Sequence, residues 1–90
     1  MIKLLSNQTA NGTGMVHSLS ELEDIAKTDV HVFGEFGKGK VSLEISEDGE
    51  HWQLFKDYKQ PAYENVAVFS NYMRAKLSES SGAEVSVVLS

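Results

Sequence analysis

Histidines and carboxylates are the residues of widest chemical reach in this sequence, and metal binding is the first chemistry they would offer. The three histidines, His17, His31 and His51, stand far apart. None is spaced two or four residues from another, as ligand pairs on one strand or helix are. They fall in different predicted elements and read as isolated polar or half-buried side chains. Glu47, Asp48 and Glu50 around Gly49 have a passing likeness to a calcium loop. They lack the regular ligand spacing and the closing bidentate glutamate of an EF-hand, and read as a solvated hairpin tip. Glycoside hydrolysis needs two carboxylates flanking a sugar in a cleft that sheds water, and a β-domain this small rarely forms one. The chain is therefore read as non-enzymatic, with no catalytic residue, cofactor or metal ligand expected.

Gly37-Lys38-Gly39 does not make a phosphate loop, because a strand pattern follows it and not a helix whose N-terminus would hold an anion. Tyr58, Tyr63 and Tyr72 with Trp52 offer rings that can stack on the apolar faces of sugars. Packing of the core and loops accounts for the same residues. The absence of cysteine excludes disulfides, Cys-ligated zinc and a thiol nucleophile, and leaves the redox compartment open.

A sequence of 90 residues, 41% hydrophobic and 23% charged, is expected to form one globular domain over residues 1–90. Thirteen acidic against eight basic residues leave a net charge of −5, which disfavours nonspecific binding to nucleic acid or anionic membranes, since both rely on clustered Lys and Arg. Leu4 and Leu5 are too short an apolar run for a signal peptide, and no window approaches a membrane span, so synthesis and folding in a cytoplasm are expected. A β-domain this small, with no disulfide, gains stability from association with copies of itself or a partner.

The elements that would position these residues are strands. From Asp29 to Phe55 the period is two: Val41, Leu43 and Ile45 alternate with Ser42, Glu44 and Ser46, and upstream Val30, Val32, Gly34 and Phe36 oppose His31, Phe33 and Glu35. Gly37-Lys38-Gly39 is expected to join these two strands as a hairpin. Asp48-Gly49 is a favoured type I′ pair and predicts a second tight hairpin. Trp52 and Leu54, two apart, would then both face the core, with the tryptophan as its anchor.

Elsewhere, Ile2–Leu5 reads as a short first strand, Ser6–Gly14 as a loop, and Met15 and Val16 as a further apolar patch. Ser18–Lys27 stays open: Ser18 or Ser20 with Glu21 or Glu23 fits a capping box over a two-turn helix, and a strand running into a loop fits as well. Lys56–Glu64, holding Pro61, reads as a surface connection between sheets. Asn65–Leu77 reads as two short strands with a bend after Phe69, and Ser78–Gly82 as a turn. Glu84–Ser90 is a last strand, with Val85, Val87 and Leu89 on one face and Val88 on the other. The fold class is all-β, a small antiparallel β-sandwich of immunoglobulin-like or jelly-roll-like type, with room for one short helix near 19–26.

The string VHVFGEFGKGKVSLEISEDGEHWQLF, closed by RAKLSESSGAEVSVVLS, resembles small structural proteins of tailed bacteriophages. In that pattern a strand ending in Gly-x-Phe-Gly leads to V-x-L-x-x-S-x-D-G-x-x-W, and an Arg-containing strand and a Ser/Val-rich last strand complete a β-sandwich. Here those positions are Gly34, Phe36 and Gly37; Val41, Leu43, Ser46, Asp48, Gly49 and Trp52; Arg74; and Val85 to Leu89. The resemblance takes in about the last two thirds of the chain, and SLSELEDIAK falls outside it.

The resemblance implies a virion protein without enzymatic activity, foremost a capsid decoration or cement protein on the exterior of the head, commonly trimeric. Its partner would be the phage major capsid protein, with no nucleic acid or membrane involved, and it would be synthesised in the host cytoplasm. A cement protein must fold alone, stay soluble through net charge, and clamp neighbouring shell subunits by many modest contacts multiplied by copy number. Candidate contacts are Phe33 and Val88, left over on wet faces, and the loop aromatics Tyr58 and Tyr63. Ile2 and Leu4 join them, because the segment Met1–Thr13 would pair with a neighbour as an added strand. Two alternatives stand beside this: a head-to-tail connector or tail or fibre component, and a small carbohydrate-binding β-sandwich module.

Overall fold

A computed structural model of the chain describes residues 2–19, 27–68 and 70–90, with Lys27 described by its backbone alone. Among the described residues nine strands follow in order: β1 (Ile2–Gln8), β2 (Gly12–Thr13), β3 (His17–Ser18), β4 (Lys27–Glu35), β5 (Lys40–Ser46), β6 (Gln53–Tyr58), β7 (Ala62–Ala67), β8 (Tyr72–Ser78) and β9 (Glu84–Leu89). The helix-or-strand question over Ser18–Lys27 falls mostly outside the described residues, where a short helix near 19–26 would also lie. At its margins Ser18 belongs to β3 and Leu19 is buried.

All the pairings are antiparallel. One sheet has the order β1-β9-β4-β7, and the other β2-β8-β5-β6 with β3 also on β8. Taking β2 and β3 as one interrupted strand, the chain changes sheet at every step except between β5 and β6. First strand lies beside last, and the two sheets are filled by alternate crossings. This is the jelly-roll order, and it decides between the two sandwich types that the sequence left open.

The period-two pattern explains the interior. Val30, Val32, Val85, Val87 and Leu89 of the first sheet meet Val41, Leu43, Met73, Ala75 and Leu77 of the second, every one fully buried. Each Val or Leu so placed stabilises the fold by about 1.5–3 kcal/mol relative to exposure.

Two expected hairpins are corrected. Gly37-Lys38-Gly39 joins β4 to β5, but these strands lie in different sheets, so the turn is a corner of the sandwich. Phe36 is buried at that corner, and the Lys38 N–H donates to the Ser81 carbonyl at 3.0 Å. Turn composition shows that a chain reverses, not which strand it reverses onto. The β5–β6 connection is a hairpin, but six residues long, Glu47–Trp52. Gly49 has φ 79° and Asp48 is not at positive φ, whereas a type I′ turn needs both.

That longer loop changes the register, and the expected placing of Trp52 and Leu54 fails with it. Leu54 pairs with Glu44, with a bulge between Leu43 and Glu44. Glu44 faces away from the core, where its carboxylate accepts the Arg74 Nε–H at 2.7 Å. Leu54 shares that outer face and is 61% exposed, while Phe55 packs on the core. A slip of one residue sends every side chain to the other face. Trp52 is half-buried with the Arg74 guanidinium 4.2 Å above its ring. It anchors the outer surface of the second sheet by a cation–π contact, not the interior.

Candidate interaction surface

The outer face of the β1-β9-β4-β7 sheet gathers rings that the interior does not take. On β4 Val30 and Val32 turn inward, so His31 and Phe33 turn outward. On β7 the exposed residues are Tyr63, Asn65 and Ala67. The register pairs Lys3 with Val88, Val88 with His31, and His31 with Tyr63, which sets a row across all four strands.

Within that row the His31 ring lies 4.8 Å from Phe33, tilted at 48°, and 5.2 Å from Tyr63, near-perpendicular at 77°. These are the edge-on arrangements that ring quadrupoles favour. Phe33 is 39% exposed and Tyr63 65%. Val88 also points outward but is buried, because it sits on a central strand between Lys3 and His31.

Polar groups hold the two ends of the row. Asp29 accepts the Asn65 amide at 3.0 Å through Oδ1 and the Tyr63 hydroxyl at 3.4 Å through Oδ2. Toward β1 a shallow depression of about 210 Å³ opens, lined by Lys3, Asn7, Phe33, Ser86 and Val88 among others. Ser86 Oγ fixes its wall by accepting the Asn7 N–H at 2.9 Å and donating to Asn7 Oδ1 at 3.3 Å.

No protein-family model, curated protein or solved structure matches the chain. The chemistry of the surface is therefore the guide to what it does.

Of the residues singled out from sequence, Phe33, Tyr63 and Val88 come together on this face. Ile2 is half-buried against the core, and Leu4 lies inside it. Residues 2–8 of the N-terminal segment pair with β9 as the margin of the chain's own sheet. Tyr58 is buried where β6 turns into β7. Its hydroxyl donates to Glu64 Oε1 at 2.5 Å, and Lys56 Nζ donates to the same oxygen at 2.6 Å. Burial, then the Glu64 contact, pushes the Tyr58 phenol well above its usual range. The Lys56 hydrogen bond, then that of Tyr58, holds Glu64 below the usual carboxylate range. This triad ties the end of one sheet to the start of the other and so places Tyr63.

Asp29 and Asn65 were not singled out, and His31 was weighed only as a metal ligand and read as an isolated side chain. Alternation with Phe33 does place His31 on the same face. Nothing in the sequence shows that β4 and β7 pair, and that pairing is what brings Tyr63 and Asn65 alongside.

The β5–β6 loop forms a second depression of about 330 Å³, lined by Glu47, Asp48, His51, Trp52 and Ser70 among others. Asp48 Oδ1 accepts the N–H groups of His51 and Glu50, each at 2.8 Å, and the Ser46 hydroxyl at 3.0 Å. Its Oδ2 meets His51 Nδ1 at 2.7 Å. The His51 and Glu50 backbone bonds, in that order, hold the Asp48 carboxyl well below the usual range. Both oxygens are engaged by the loop's own groups, so Asp48 shapes a turn. Among the described residues no group of three or more His, Asp or Glu could hold a metal ion.

Proposed function

We propose that this chain is a non-catalytic structural protein of a tailed-phage virion, a decoration or cement protein bound to the major capsid protein on the outside of the head and acting as a homo-oligomer. The observation that supports it is the row from Lys3 to Tyr63, with Phe33 beside it: exposed rings spread over the face of a sheet. A sheet face with an aromatic centre and a polar margin suits a large, shallow partner surface. The jelly-roll order supports the same reading as an analogy, since viral capsid domains use it. Trimeric assembly rests on the resemblance alone.

The test is cosedimentation of the purified chain with expanded heads and with isolated tails of the phage that encodes it. Saturable, stoichiometric binding to heads, a rise in their thermal stability, and loss of both on Phe33→Ser with Tyr63→Ser are expected. Binding to tails alone would replace this reading with the connector or tail-fibre one, and binding to neither would end it.

A second reading has one observation in its favour. The exposed Tyr63 ring stands beside the Asp29–Asn65 pair, and a ring with a neighbouring carboxylate and amide is what a sugar needs for stacking and hydroxyl recognition. Glycan-array binding lost on Tyr63→Ala, with no affinity for heads, would favour it.

A further inference from the structure

We infer that β7 is an open docking edge for a second copy of this chain, pairing antiparallel with itself about a two-fold axis through Asn65. The direction of the backbone groups follows from the β4 ladder. Asp29 and Ser90 exchange both backbone hydrogen bonds, each at 3.0 Å. Bonded pairs alternate along an antiparallel ladder, so Asp29, His31 and Phe33 direct their N–H and C=O groups at β9, and Thr28, Val30 and Val32 direct theirs at β7. Their β7 partners are Val66, Glu64 and Ala62. Tyr63, Asn65 and Ala67 therefore turn their N–H and C=O groups away from β4, and among the described residues β7 ends the sheet.

Unpaired strand edges are ordinarily blunted by bulges, lysines, prolines or shortness. Among the described residues the other marginal strands carry such devices. β1 has two register shifts against β9 and a left-handed Asn7 at φ 49°. β6 faces a register shift against β5. β2 and β3 have two residues each. β7 runs through its whole pairing with β4 without a shift and contains neither lysine nor proline. Its one charge, Glu64, points inward and is already met by Lys56 and Tyr58.

Self-complementarity selects a second copy as the occupant. Like faces must meet across the axis, and residues with outward backbone groups must oppose one another. Only an axis at Asn65 engages all three, with Asn65 opposite itself and Tyr63 opposite the second copy's Ala67. Each pairing exchanges both of its bonds. The large Tyr63 ring then lies over a small alanine, and Glu64 faces Val66 and not another carboxylate. The contact gives two-fold pairing, unlike the trimer implied by the resemblance, and it stands independently of capsid binding.

Sedimentation equilibrium from micromolar to millimolar chain, together with amide hydrogen exchange, tests the inference. A dimer is expected, tightening as salt rises because each copy carries −5 and salt screens that repulsion. On association the amides of Tyr63, Asn65 and Ala67 should slow, while those of Ala62, Glu64 and Val66 are protected at every concentration. Asn65→Pro and Ala67→Pro each remove a donor that the β4 ladder does not use, a place where edge strands tolerate proline. Each should weaken the dimer by about 30-fold, the effect of losing two hydrogen bonds. A monomer throughout, an association that both prolines leave intact, or slowing confined to Ala62, Glu64 and Val66 would overturn it. A monomer that still bound heads would leave the capsid reading standing.

Discussion

The Tyr58–Glu64–Lys56 triad gives the sharpest energetic prediction, because its two hydrogen bonds end on one oxygen but differ in exposure. Lys56 and Glu64 have side chains 40% and 37% exposed, so their ion pair is screened by water and contributes about 0.2–1 kcal/mol. Tyr58 is buried and its hydroxyl donates to a charged acceptor, a bond of about 1.5–3 kcal/mol. Tyr58→Phe keeps the ring and opens no cavity, so it isolates that bond. Urea unfolding followed by Trp52 fluorescence should show Tyr58→Phe less stable by that amount and Lys56→Met by less than about 1 kcal/mol, with the slope on urea unchanged. The phenol's raised pKa adds a second signature. Unfolded Tyr58 titrates near 10.0 and the folded phenol holds its proton to higher pH. The unfolded state therefore loses protons first, and stability that is complete below pH 10.0 falls as pH rises past it. Tyr58→Phe should flatten that alkaline limb. Reversal of the two mutants' order, or an alkaline fall undiminished in Tyr58→Phe, would refute the reasoning.

Gly34 has φ 113°, and a Cβ there would run into the Glu84 carbonyl oxygen. Gly34→Ala should therefore cost at least about 1–3 kcal/mol, read by calorimetry as a drop in Tm of roughly 4–8 °C for each kcal/mol. The corrected register of β6 predicts that Leu54→Ser leaves stability within about 0.5 kcal/mol, whereas Leu43→Ala in the core costs about 2–5 kcal/mol; chemical denaturation of both tests it. Asp48 has a lowered folded pKa, so its contribution is present above its ordinary 3.8 and is lost as pH falls toward the folded value. Acid unfolding should accordingly be shallower in Asp48→Asn than in the unaltered chain over that interval.

Alternation carried most of the fold class, because a half-buried strand records its two environments in every other residue. Val41 and Leu43, Met73 to Leu77, and Val85 to Leu89 all announce the buried face in this way, and Phe33 and Val88 stand out as apolar on the other. Pairing partners leave no comparable local trace. Gly37-Lys38-Gly39 has the same composition whether it closes a hairpin or turns a sandwich corner. SEDGEH hides a loop long enough to move Leu54 onto the outer face, since the Ser46 and Asp48 side chains organise it through backbone contacts that no residue pattern spells out. Of the interaction surface, Phe33, Tyr63 and Val88 were legible singly. Their assembly with His31 needed the β4–β7 and β4–β9 registers, which join residues far apart in the chain.

The two outer faces of the sandwich differ in a way that bears on assembly. On the second sheet Arg74 is bound to Glu44 and lies on Trp52, and Ser42 donates to Asp57 at 2.6 Å. Polar side chains there are paired among themselves and hydrate readily. The first sheet's face gathers the rings of His31, Phe33 and Tyr63 in contact with one another, whereas on the second Leu54 stands exposed by itself, so the ring cluster is the side that gains more by leaving water. One adhesive face gives a defined orientation on a partner, where two would favour open-ended stacking. Pairing through β7 about an axis perpendicular to the sheet would keep both copies' rings on the same side. The two faces would then meet a partner together at a fixed spacing, and contacts too weak to hold one copy would act in concert.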